Sequence, residues 1–327
     1  MRLADYVVSY SLQINNRCLR YLAECDVRGG TPSLTDSSSL VASDSHSVFA
    51  ESLLARDTRR LVSMWSLMRP GWKADAPDLA THVDDLYNAA EALAEGHSGR
   101  RLAMRLASLA SADHEAEAIL KVARKLPNEI VMTWDVLNDL FAADSLHWRE
   151  SVSHRDIDDD LVLKRIAKRY RKSYRLAKLM PEQEAEAWLN AHAENLYRWV
   201  QLCAHQLELL RPGLSDKIKA QVWYLDKMSD TLRTRAGLVV LRDIAVNIQV
   251  KRSAAKLTAT HVDEQIAKMD KRIERLARGC FATKPKRLVE SIKPAVAALG
   301  LRDVSFMKTP PVADAGSKGQ ATENIHA

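Results

Sequence analysis

The stretch KRIAKRYRKSYRLAK, residues 164 to 178, carries eight Lys or Arg and no Asp or Glu. These side chains donate hydrogen bonds and accept none; Arg grips phosphate oxygens through a planar fork, whereas Lys acts as a point charge. The chemistry they offer is capture of a polyanion, not the making or breaking of bonds. On a helix, Lys164, Lys168, Arg171, Lys172 and Arg175 stack in one stripe, with Arg165, Arg169 and Lys178 toward its edge. Like charges four residues apart each cost a few tenths of a kcal/mol, so a neutralising partner is expected.

Residues suited to other chemistry are missing or badly spaced. No Gly-rich loop with a following Lys is present, which phosphoryl transfer by a P-loop would need. The string EQEAEAW (182 to 188) lacks the Lys of a Glu-x-Glu-x-Lys strand and falls in a helical pattern. The ten histidines are scattered, and Cys18, Cys25, Cys203 and Cys280 have no metal-ligand spacing. Cys18 and Cys25 lie two turns apart on one helical face, where they pack instead of pairing. Neither an enzyme, a metal nor a cofactor is expected.

The elements that position the stripe are helices. Opposite the cations, Leu163, Ile166, Ala167, Tyr170, Tyr174 and Ala177 recur at helical period, so this helix packs on one side and is basic on the other. Asp156, Asp158, Asp159 and Asp160 sit where carboxylates favour a helix start. Only 11 Gly and 10 Pro interrupt the 327 residues, and Ala, Leu, Arg, Glu and Lys are abundant, which predicts an all-α protein with short connections. The net charge of +6 favours acidic partners. Reduced thiols, an N-terminus without a continuous apolar core and no run of about 20 apolar residues predict a cytoplasmic protein without a membrane span.

Periodicity predicts helices over about 3–25, 49–68, 77–95, 98–111, 113–126, 128–143, 161–179, 182–210, 215–232, 236–250, 259–279 and 285–299. A polar linker occupies 26–47, a connector 145–160, and residues 301–327 read as a disordered tail. The chain divides into an N-terminal helical half, 1–150, and a C-terminal one, 151–300. The halves resemble each other: LVSMWSLMRPGW (61 to 72) and CAHQLELLRPGL (203 to 214) share Leu67 with Leu209, Arg69 with Arg211, Pro70 with Pro212 and Gly71 with Gly213 at one offset. A duplicated helical bundle has this signature.

Three stretches carry a resemblance to the CHAD family, the conserved histidine α-helical domain: RDTRRLVSMWSLMRP (56 to 70), the segment from Leu161 to Pro212, and IAKMDKRIERLARGCFATKPKRLVESI (266 to 292). The likeness covers roughly residues 3 to 299 and implies two antiparallel bundles related by an approximate internal twofold. The sequence departs from the family at its name-giving histidines, which fall on Ser52 and Glu194; the neighbouring arginines fall on Ala55 and Tyr197 and a later lysine on Gln201. His46 and His192 lie nearby but out of register. The paired residues that follow in each half read Arg100-Arg101 and Ala236-Gly237.

The resemblance implies non-enzymatic binding of inorganic polyphosphate on a basic surface between the halves. Its candidate residues are Lys164, Arg165, Lys168, Arg169, Arg171, Lys172 and Arg175, with Arg198, Arg59 and Arg60 from the long helices facing them. Polyphosphate presents about one charge per residue, much like a nucleic-acid backbone, and binding it releases counterions. Two alternatives stay open. Tyr170, Tyr174, Tyr197 and Trp199 stand near the stripe and would stack bases in a nucleic-acid binder. A scaffold that has lost the ligand would instead hold an acidic protein or a storage granule.

Overall fold

The computed structural model describes residues 3–26, 44–68, 76–108, 113–123, 133–152, 159–180, 185–247 and 252–300. Every regular element among them is helical and no strand occurs. In chain order they are α1 (Leu3–Asp26), α2 (Asp44–Met68), α3 (Pro77–Ser108), α4 (Asp113–Ala123), α5 (Trp134–His147), α6 (Asp159–Leu179), α7 (Ala185–Leu209), α8 (Asp216–Asn247), α9 (Arg252–Cys280) and α10 (Pro285–Gly300). A π-helical turn over Trp148–Val152 extends α5, and a 3₁₀ turn over Arg211–Gly213 closes α7. None of the described helices is long and apolar enough to cross a membrane.

Two predicted breaks are absent. Residues 77 to 108 form one helix where a stop near residue 96 was expected, and α8 runs unbroken through 233–235. A glycine inside a helix costs only about 1 kcal/mol, which tertiary packing overrides. In α8 the packing is visible: Arg235, almost fully buried, pairs with Asp270 of α9 and donates from Nη2 to Asn190 Oδ1 of α7 at 2.7 Å. The contacts Tyr224 with Gly279, Arg235 with Asp270 and Arg242 with Asp263 step in opposite directions along α8 and α9, which makes these helices an antiparallel hairpin. The connector expected over 145–160 is helical up to residue 152. Of the predicted linker, residues 44–47 already form the first turn of α2 and residue 26 ends α1, while 27–43 lie outside the described residues, as does the whole tail.

The main core draws on both sequence halves, from Leu3 and Trp65 through Tyr170 and Leu207 to Leu299. A smaller cluster, including Ile119, Leu241 and Val262, gathers α4, α8 and α9 around Ala107 near the end of α3. In the main core Trp65 stacks on Trp148 at 3.9 Å, and the fully buried Asp144 carboxylate accepts from Trp65 Nε1 at 2.6 Å and Asn15 Nδ2 at 2.8 Å, with His82 Nε2 at 3.1 Å. Burying a carboxylate requires such donors. The Arg-Pro-Gly stop after α7 has a packing role: a Cβ on Gly213 would lie 2.8 Å from Ala295 Cα, so only glycine lets this turn meet α10.

The candidate functional helix, α6, is fixed by one buried polar knot. Tyr170 donates its hydroxyl proton to Thr283 O at 2.6 Å and accepts from Gln221 Nε2 at 2.8 Å, while Gln221 also donates to Cys280 O at 2.8 Å. This ties α6 to α8 and to the junction between α9 and α10. Cys18, Cys203 and Cys280 are buried free thiols; Cys18 packs as its helical position implied, and the side chain of Cys25 lies outside the described ones.

Candidate anion-binding surface

The two faces of α6 separate as its pattern requires. Val162, Leu163, Ile166, Ala167 and Tyr170 are buried, with Tyr174 and Ala177 packed at the margin of the core. Lys164, Lys168, Arg171, Lys172 and Arg175 are exposed. None of these five forms an ion pair with a described residue, so their charges meet no carboxylate within the described protein. With a rise of about 1.5 Å per residue, the stripe from Lys164 to Arg175 is about 16 Å long.

Both flanks of the stripe are met by neighbouring helices. On the α7 side, Lys172 Nζ lies 3.9 Å from the centre of the Trp199 ring, and Arg198 Cζ lies 6.0 Å from the same ring. Arg198 and Lys172 thus both lie against the Trp199 ring. On the α10 side, Arg171, Tyr174 and Arg175 share an open groove of ≈ 640 Å³ with Pro285, Lys286, Val289, Glu290 and Lys293. Four cations and one carboxylate line it, with an aromatic and aliphatic floor. Lys286 and Lys293 escape a sequence reading because only tertiary packing sets α10 beside α6.

Arg165 and Arg169 turn inward. Arg169 donates from Nη2 to Ser66 O of α2 at 2.8 Å and from Nη1 to Arg165 O at 3.3 Å. Burial first, then the neighbouring Arg165, pulls the Arg169 guanidinium down to about 10. Burial alone lowers Arg165, whose two terminal nitrogens have no hydrogen-bond partner among the described residues. Both remain cationic at neutral pH and add positive potential beneath the stripe without presenting their donors at the surface.

Arg59 and Arg60 lie elsewhere. Arg60 is held by Asp57 at 2.9 Å, and Asp57 also accepts from Arg17 Nε at 2.7 Å, which joins α1 to α2. Burial opposes the Arg60 charge, but Asp57 outweighs it and raises the guanidinium above its ordinary value. Arg59 is buried at 5% exposure and lines a separate small cavity between α2, α7 and α8. The helical register of α2 turns these arginines toward α1, α7 and α8, whereas it is Ser66, further along, that meets α6.

The positions onto which the resemblance to the CHAD family would place its signature residues are also distinct. Glu194 is exposed; Tyr197 and Gln201 line the Arg59 cavity, with Gln201 Nε2 donating to the Tyr197 hydroxyl at 2.6 Å. His192 packs against Trp188 with the rings tilted, 4.9 Å between ring centres. The side chains of His46, Ser52, Arg100 and Arg101 fall outside the described ones. No group of three or more His, Cys, Asp or Glu able to hold a metal occurs among the described residues. Comparison with protein-family models, curated proteins and solved structures finds no significant match.

Proposed function

We propose that this protein binds inorganic polyphosphate without transforming it, on the surface formed by α6 with its α7 and α10 flanks. The observation that carries the reading is the five exposed cations on one face of α6 that no described carboxylate meets. A structural surface would interleave carboxylates to relieve like-charge repulsion; a polyanion site leaves the charges open and gains from counterion release when ligand arrives. On this reading the helices form two antiparallel bundles related by an approximate twofold, as the CHAD resemblance implies. The exposed stripe, Arg198, Lys286 and Lys293 touch ligand, and Arg165 and Arg169 act through their charge.

A chain-like ligand without bases suits the aromatic residues. Lys172 covers one face of Trp199, Tyr170 is fully buried, and Tyr174 packs edge-on against Phe281 at 6.0 Å. These rings are engaged in packing, so a nucleic acid would gain phosphate contacts here with little stacking. Thermal melts with and without long-chain polyphosphate test the proposal: a ligand that binds only the folded state raises Tm by mass action. An unchanged Tm at saturating polyphosphate and low salt would leave the stripe as a solvated face. A larger rise with single-stranded nucleic acid would favour that ligand instead.

A further inference from the structure

Two exposed aromatic rings of α8 stand at one end of a cationic face of α9. Lys268, Arg272 and Arg275 recur at i, i+4 and i+7, and the next position of that series is Gly279, so all four share one side of the helix. The three cations are exposed, and none forms an ion pair with a described residue. At the Gly279 end the Tyr224 ring lies face-down on the glycine: a Cβ there would sit 2.8 Å from Cγ and 2.9 Å from each Cδ, so only glycine seats the ring. Trp223 meets Tyr224 at 76°, with 5.0 Å between ring centres. Trp223 is nevertheless 54% exposed and Tyr224 37%. Single exposed apolar residues are ordinary, whereas a contiguous aromatic pair rimmed by charge marks a contact surface.

We propose that this face of α8 and α9 docks on an anionic lipid surface, with Trp223 and Tyr224 at headgroup level and Lys268, Arg272 and Arg275 against the headgroup charges. Charge selects the class of partner, because the carboxylates nearby are engaged or distant. On α8, Asp216 pairs with Lys219 at 3.1 Å, Asp226 is approached by Arg56 at 3.9 Å and Asp230 by Arg233 at 3.6 Å. On α9, Asp263 faces Arg242 at 3.7 Å and Asp270 is held by Arg235. Glu274 lies round the helix from the stripe, toward Lys271 and Arg278, and Glu264 stands beyond its far end, one turn before Lys268. The aromatic pair selects lipid among polyanions. Trp and Tyr combine an apolar body with a polar tip and favour the membrane interface, where each nearby Lys or Arg adds attraction. Inorganic polyphosphate would gain nothing from these rings. Single-stranded nucleic acid would stack on them, but Gly279 closes one face of Tyr224 and Trp223 crosses it steeply, so successive bases meet no parallel platforms. The proposal does not rest on polyphosphate binding, which uses α6.

Vesicle sedimentation of the full chain tests it. Wild-type protein should bind vesicles of phosphatidylcholine and phosphatidylserine, mixed at about 70:30, at least about 10-fold more tightly than pure phosphatidylcholine. Lys268→Glu with Arg272→Glu should weaken that binding at least about 10-fold, while Arg171→Glu with Arg175→Glu stays within about 2-fold of wild type. Trp223→Ala should weaken it about 5-fold and leave polyphosphate affinity unchanged. Its circular dichroism should match the parent, since Trp223 is mostly exposed. No binding to the anionic vesicles at low salt, equal losses from both double reversals, or wild-type binding by Trp223→Ala would each overturn the proposal. Tighter binding of single-stranded DNA that Trp223→Ala abolishes would assign the face to nucleic acid instead, and a wild-type dimer that Trp223→Ala dissociates would assign it to a second copy; either result refutes lipid docking.

Discussion

Lys172 Nζ stands 3.9 Å from the centre of the Trp199 ring, so a cation of α6 rests on an aromatic face of α7 while no described carboxylate meets it. An ammonium held in this way keeps its charge and loses some conformational freedom before ligand arrives. Trp199→Ala should therefore weaken polyphosphate binding by about 2- to 5-fold, as loss of a partly exposed cation–π contact of about 0.5–1 kcal/mol implies. The salt dependence should hardly change, because the charge remains. Lys172→Ala, by contrast, should flatten the log K against log salt plot by about 0.7–0.9. Titrations at several salt concentrations separate the two effects.

The groove between α6 and α10 makes a sharper demand. Lys286→Glu with Lys293→Glu should weaken polyphosphate binding by at least 10-fold, because these lysines form the wall opposite Arg171 and Arg175. Binding indistinguishable from wild type would confine the site to α6 and α7. Circular dichroism should remain that of the parent, since both lysines are exposed.

Tyr170 positions that groove from within. Tyr170→Phe removes a donor to Thr283 O and strands an N–H of Gln221, which retains Cys280 O as an acceptor. A loss of about 1–3 kcal/mol is expected in urea unfolding, the cost of unsatisfied buried polar groups. A change below about 0.5 kcal/mol would mean that the knot contributes little.

His205 makes stability depend on pH. Burial, followed by Arg60, Arg56 and Arg59, pushes its imidazole well below the ordinary 6.5, so the folded state resists a proton that the unfolded state accepts. The unfolded state then binds more protons below about pH 6.5, and stability falls as pH drops from there, by up to about 1.4 kcal/mol per unit for one site. Above that pH the contribution is complete and flat. His147, lowered in the same direction by burial and then by His82, adds to the trend. His205→Gln should reduce the slope of unfolding free energy between pH 6.5 and 5; an unaltered slope would assign the dependence to other groups.

The sequence made α6 legible because both of its faces follow one period. Lys164 and Ile166 need no tertiary knowledge to be placed on opposite sides, and the structure keeps them there. The inward turn of Arg165 and Arg169 was half legible: spacing sets them at the edge, but only the approach of α2, whose Ser66 carbonyl accepts from Arg169, decides that they turn away from the surface. The missing breaks at Gly96 and near Ala236 have another cause. Local propensity there is weak, and long-range contacts such as Arg235 with Asp270 outweigh it. The Asp144 network was invisible for the same reason, since its donors come from residues 15, 65 and 82. Arg59 and Arg60 show the limit of a register borrowed from a family, because a helix offers several faces and the neighbours choose among them.

The most direct measurement is the affinity for long-chain polyphosphate across a salt series, for the wild-type protein and two double charge reversals. Arg171→Glu with Arg175→Glu strikes the stripe and the groove wall together, whereas Lys268→Glu with Arg272→Glu changes exposed cations on α9. Each reversal takes the formal net charge from +6 to +2, so attraction by overall charge falls equally in both. The account predicts strong loss of affinity and a salt slope flattened by about 1.5 for the α6 variant, with near wild-type behaviour for the α9 variant. Equal losses from both variants, or no polyphosphate binding by the wild-type protein at low salt, would contradict it.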